Sequence, residues 1–133
     1  MRVTNPQISD LESNGIFVPG TNEAGIHGAG AAALGYKKFG MKWGKGVGHS
    51  GECYGIPTKD FNIKTLPVIN IKHYVDQFID YAKSRPDLTF HVTEIGCGLA
   101  GYEPKDIAPL FKGAINIDNI HLPQRFWEVL KLQ

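Results

Sequence analysis

Eleven of the sixteen glycines lie between Gly20 and Gly55, and three more stand together at Gly96, Gly98 and Gly101. Glycine spread evenly along a chain signals flexibility. Glycine gathered at two places signals backbone that must take positive φ or approach another group closely. The segments 22–30 and 96–102 are therefore the first to explain.

Both follow a strand pattern and precede a helix. Gly15–Val18 reads as a short buried strand ended by Pro19 and Gly20, and the loop TNEAGIHGAG runs from there into a helix over Ala31–Phe39. Gly40 ends that helix, and Lys37 and Lys38 complement the dipole of its last turn. Residues 40–51 read as a mobile loop and Glu52–Pro57 as a second strand. Ile71, Val75, Phe78, Ile79 and Ala82 mark one face of a helix within Leu66–Ser84, with Pro67 in its first turn and Pro86 beyond its end.

Thr89–Ile95 is the strongest strand, rich in β-branched and aromatic residues. After the second glycine segment, Pro104 opens a helix that Pro109 shortens or kinks. Ile115–Leu122 alternates as a last strand, and 123–132 forms a terminal helix. Residues 1–14 carry no periodicity and are left as an extended arm or an edge element. With 133 residues the chain is expected to be a single domain over 1–133, with an N-terminal arm (1–14) and a C-terminal helix (123–133). Alternating strands and helices call for parallel crossovers and an α/β sheet covered on both faces. Ligands in such sheets sit at the carboxyl ends of strands, where both glycine segments fall.

The formal net charge of +1 removes the usual electrostatic case for a duplex-DNA or membrane-surface binder, so any bound anion must be held locally. Two cysteines are too few for a disulfide framework and are not paired as in a zinc site, and the five histidines lack metal-ligand spacing. Neither a signal-peptide core nor a membrane-length apolar run is found. The expectation is a cytoplasmic protein with no cofactor, no metal, no membrane association and no sequence-specific DNA binding.

Amides at a helix N-terminus carry partial positive charge and donate to phosphate oxygens, and glycine lets the backbone come close. Gly28 and Gly30 suit that role, although a GxG pattern also suits a plain tight turn. The segment Gly96-Cys97-Gly98-Leu99-Ala100-Gly101-Tyr102 repeats the arrangement after the strongest strand. Two such loops at one sheet edge are what a diphosphate needs.

Three blocks in order, HGAGAAALGYKKFG (27–40), YGIPTKD (54–60) and EIGCGLAGYEPKDIAPLF (94–111), resemble the macrodomain family. The similarity is greatest to the branch that includes terminal ADP-ribose protein glycohydrolase and the antitoxins that remove ADP-ribose from DNA. It rests on that branch's M-G-A-G-I-A, Y-x-I-T-K and R-I-G-C-G-L-D segments and extends over most of residues 15–111. The resemblance implies a three-layer α/β/α sandwich with a mostly parallel, mixed sheet. It implies that Gly28, Ala29 and Gly30 face one phosphate, that Gly96, Cys97, Gly98 and Leu99 face the other and the distal ribose, and that Asn22 lies near that ribose. It further implies that Lys59 matches a lysine that attacks the anomeric carbon. The branch's assisting aspartate follows G-C-G-L, and here that position is Ala100. Losing such a group costs about a hundredfold or more in rate, so binding survives the change more easily than hydrolysis.

The catalytic candidates are Lys59 and Asn22. The ligand-binding candidates are Asn22, His27, Gly28, Ala29, Gly30, Gly96, Cys97, Gly98, Leu99, Ala100, Gly101 and Tyr102. Several of these residues have a second reading. Lys59 attacks only if partly neutral, and otherwise stays solvated or pairs with Asp60. His27 contacts a phosphate or caps its own turn. Tyr102 and Trp43 stack on a base or ribose, or simply pack. Cys97 is a small residue that fits, although helix amides nearby would lower its pKa. Glu103 is the acid nearest in sequence to replace the one missing at residue 100. The function expected is binding of ADP-ribose, free or on protein or nucleic acid, with glycosidic hydrolysis in reach. The alternatives are a phosphatase or hydrolase acting on another phosphorylated metabolite, and a ligand-free interaction protein using Phe126 and Trp127 if these do not cover the sheet.

Overall fold

A computed structural model describes residues 2–131. Its strands are β1 (Gly15–Val18), β2 (Gly20–Asn22), β3 (Gly48–Ser50), β4 (Cys53–Lys59), β5 (Thr89–Val92) and β6 (Ile120–His121), all in one sheet. Its helices are α1 (Gly30–Lys38), α2 (Val68–Ser84), α3 (Pro104–Ile107) and α4 (Gln124–Lys131), with a 3-10 helix over Ala108–Ala114. The β1–β4, β2–β4, β1–β5 and β5–β6 pairs are parallel, and β3 runs antiparallel to β4. The fold is thus α/β with a mostly parallel sheet.

β1 and β2 keep one register against β4 through Thr21, with Phe17 opposite Cys53 and Gly20 opposite Ile56, and the register shifts by one residue at Asn22. They are two pieces of a single strand interrupted at Pro19, whose nitrogen has no proton to give the ladder. All four residues of β1 are buried, as a central parallel strand requires. Alternation then divides them. Ile16 and Val18 enter the larger core cluster with α2, the 3-10 helix and α4, while Phe17 enters a smaller cluster with Ala32, Phe39, Met41 and Cys53. On α2, Ile71, Val75, Phe78, Ile79 and Ala82 are the buried face, as their spacing predicts. Burial of each larger side chain contributes about 1.5–3 kcal/mol.

Elsewhere the structure departs from the sequence reading. Within the expected loop 40–51, residues 48–50 form β3, which hydrogen-bonds the outer edge of β4. Glycine diluted its strand signal, yet the exposed edge needed a partner. β4 runs two residues further than expected, through Lys59, and β5 stops at Val92. Beyond Val92 the Thr93 amide and hydroxyl both donate to the Val18 carbonyl, at 3.1 and 2.9 Å, which ends the regular pairing. Of the expected strand 115–122 only Ile120 and His121 pair regularly, because the segment before them turns. There the Asn119 amide donates to the carbonyls of Ala82, Arg85 and Leu88 at the end of α2.

The N-terminal arm is an edge element: Val3 bridges Leu122 in parallel, and Thr4 N donates to Leu122 O at 2.9 Å. The Arg2 guanidinium lies 5.4 Å from the Trp127 ring centroid, and Trp127 Nε1 donates to Arg2 O at 2.7 Å. Phe126 and Trp127 are both buried, so this segment covers the sheet. Leu132, expected to end the terminal helix, lies outside the described residues. No helix among the described residues is long and apolar enough to cross a membrane.

Candidate functional site

A cleft of about 440 Å³ opens at the carboxyl ends of β2, β4 and β5. The sequence-predicted residues Asn22, Gly28, Ala29, Gly30, Lys59, Gly96, Gly98, Leu99 and Ala100 all line it. Both glycine loops therefore border one space. Their approach is close: a Cβ placed on Gly30 lies 3.8 Å from Leu99 Cδ1, and one on Gly20 lies 3.5 Å from the Gly96 amide. Gly30 and Gly96 have φ of 61° and 73°, a left-handed conformation that makes the turn out of strand and into cleft without a Cβ clash.

Backbone hydrogen bonding leaves donors here. Among the described residues the amides of Gly28, Ala29, Gly30, Ala31 and Ala32 donate to no protein group, and α1 begins without a side-chain cap. In the second loop the Cys97, Gly101 and Tyr102 amides are used internally, at 3.1, 3.0 and 2.8 Å, while those of Gly98, Leu99 and Ala100 are not. Buried donors without partners are rare, whereas donors lining a cleft are free to meet an anion.

Four predicted residues stand outside this lining. His27 is only 1% exposed; its Nε2 donates to the carbonyls of Lys42 (2.9 Å) and Lys45 (3.1 Å), so it holds the first loop to residues 42–45. Tyr102 packs against the core, donates its hydroxyl to Leu66 O at 2.6 Å and does not line the cleft. Cys97 also packs against the core; burial first, then the Glu94 charge, pushes its thiol up to about 11, the reverse of helix-amide activation. Gly101 shapes the return of the loop at φ 89°.

The Asn22 side chain is committed as well. Its Nδ2 donates to Ile26 O at 2.8 Å and its Oδ1 accepts from Ile26 N at 3.0 Å, closing the first turn of the loop. Lys59 ends β4 opposite Asn22. Asp60 does not pair with it: the Asp60 carboxylate accepts the amides of Asn62 (2.8 Å) and Lys64 (3.0 Å) and builds the following turn. Lys59 takes part in none of the ion pairs among the described residues.

The turn after Asp60 carries Ile63 at φ 62°, a strained conformation for a β-branched residue, and Ile63 lines the cleft. Thr65 Oγ1 donates to Ala100 O at 2.9 Å and ties this turn to the second glycine loop.

Sequence reasoning missed Glu94. It lines the cleft and, with Lys59, supplies the charged residues of the lining. Arg125 on α4 grips it with two hydrogen bonds, Nε at 2.8 Å and Nη2 at 2.6 Å. These bonds hold the Glu94 carboxyl below its usual range against the opposing effect of burial, so it is ionised at neutral pH. Glu103, the acid expected nearby, caps α3 with Asp106 and pairs with Lys105 at 3.2 Å instead. Attention to the residues before Gly96, as well as after it, would have found Glu94. Thr21, Thr58 and Thr93 add small polar walls. No protein-family model matches the chain, and neither does any curated protein or solved structure.

Proposed function

We propose that this chain is a macrodomain-like module, built as a three-layer α/β/α sandwich, that binds ADP-ribose free or attached to protein or nucleic acid. The observation that carries this reading is the meeting, in one cleft, of two runs of unengaged amides, residues 28–32 and 98–100. Each run suits one phosphate of a diphosphate. The two core clusters divided by the sheet support the layering. Burial of Phe126 and Trp127 removes the surface on which a ligand-free interaction protein would have relied.

The test is thermal. ADP-ribose at 100 times its Kd stabilises the native state by about 2.7 kcal/mol and raises Tm accordingly, while ATP and nucleoside monophosphates leave it unchanged. The converse pattern would assign the cleft to another phosphorylated metabolite.

Hydrolysis is the second reading, and the presence of both Lys59 and Glu94 in the lining favours it. Lys59 takes part in no ion pair among the described residues, and Glu94 brings a carboxylate to the same lining. Release of ADP-ribose from modified protein or DNA is then expected to disappear in Lys59→Ala while binding persists. Release that continues in the variant removes Lys59 from the chemistry.

A further inference from the structure

The near-neutral total hides an uneven distribution. Residues 24–51 contain four lysines and no acid, which leaves ten basic residues against thirteen acidic ones in the rest of the chain. Lys37, Lys42 and Lys45 are exposed on this stretch, and Lys38 stands 3.9 Å from Asp10. Between them lie Tyr36 and Trp43, with ring centroids 5.1 Å apart at 67°. These rings are 45% and 50% exposed, far more than a packing role alone requires. Both rest on the buried His27 ring, at 6.3 and 5.9 Å.

We infer that this surface binds single-stranded nucleic acid, with bases stacking on Tyr36 and Trp43 and with Lys37 and Lys42 following the phosphates, while Lys45 Nζ donates to His49 O at 2.7 Å. Exposed aromatic faces interleaved with cations are how proteins hold single strands without reading sequence. A duplex hides its base faces, and an acidic peptide has no use for the rings. The inference stands apart from the ADP-ribose reading, since none of these side chains lines the cleft.

Fluorescence anisotropy with a labelled oligothymidylate of about 12 nucleotides at low salt tests it. The wild type is expected to bind it more tightly than a duplex of equal length. Tyr36→Ala and Trp43→Ala are each expected to weaken binding roughly tenfold. Lys42→Gln is expected to lower the slope of log affinity against log salt by about 0.7. A circular-dichroism melt accompanies each variant, and Tyr36→Ala and Lys42→Gln keep the question open to an answer if Trp43→Ala unfolds. Absence of wild-type binding overturns the proposal. So does equal affinity for polyglutamate or for vesicles of anionic lipid, and so does wild-type affinity in folded Tyr36→Ala and Lys42→Gln.

Discussion

Gly98→Glu is expected to abolish ADP-ribose binding without lowering the melting temperature. Gly98 lines the cleft, and a Cβ placed there meets nothing within 4 Å. The folded chain therefore accepts the side chain, unlike Gly96, where a Cβ would stand 3.1 Å from Ile107 in a left-handed conformation. The new carboxylate would sit beside the unengaged amides of residues 98–100, in the place proposed for a phosphate. Two like charges about 4 Å apart repel by about 4 kcal/mol at an effective dielectric of 20, roughly a thousandfold in affinity. Titration calorimetry reads the affinity and a thermal melt reads the fold. Undiminished binding by a normally melting variant would mean that ADP-ribose, if bound, is held elsewhere.

The largest loss of stability is expected from Phe78→Ala. Phe78 is fully buried on α2, with its ring centroid 5.1 Å from that of Tyr54 on β4, 5.5 Å from Phe90 on β5 and 6.4 Å from Phe111 on the 3-10 helix. Truncation removes the group these elements share and leaves a cavity that rigid neighbours fill poorly. The cost is about 3–5 kcal/mol, a fall in Tm of roughly 10–20 °C for a domain of this length. Denaturant and thermal melts check it, and a fall of only a few degrees would show that the core closes over the gap.

The elements most legible in the sequence were those whose local pattern and packing agree. The α2 stripe from Ile71 to Ala82 is buried as its spacing indicates, and Gly15–Val18 forms its strand with matching bounds. The conversion of α3 to 3-10 geometry at Ala108 follows from Pro109, which has no amide proton and crowds the preceding turn. β3 and the last strand were misjudged because their pairing depends on distant partners. His49 pairs opposite Tyr54 on β4, and the turn before Ile120 is fixed by the Asn119 side chain reaching the far end of α2. In the site, the glycine clusters alone pointed to Gly28, Gly30, Gly96 and Gly98, which line the cleft. Glu94 was missed because its significance comes from Arg125, which lies thirty-one positions away in the chain. His27 and Tyr102 were read as ligand contacts because a side chain turned inward looks the same in sequence as one turned to a cleft.

Burial of the thiols carries a consequence for durability. Cys53 is sealed in the smaller core cluster, where burial pushes its thiol up to about 12, and Cys97 is raised as described. Oxidants and alkylating agents act on the thiolate, whose fraction falls as the thiol is pushed up, so both residues are expected to react more slowly than a free cysteine. The Gly96–Gly98 turn thus carries a sulfur atom that is expected to label with iodoacetamide more slowly than a free cysteine at neutral pH.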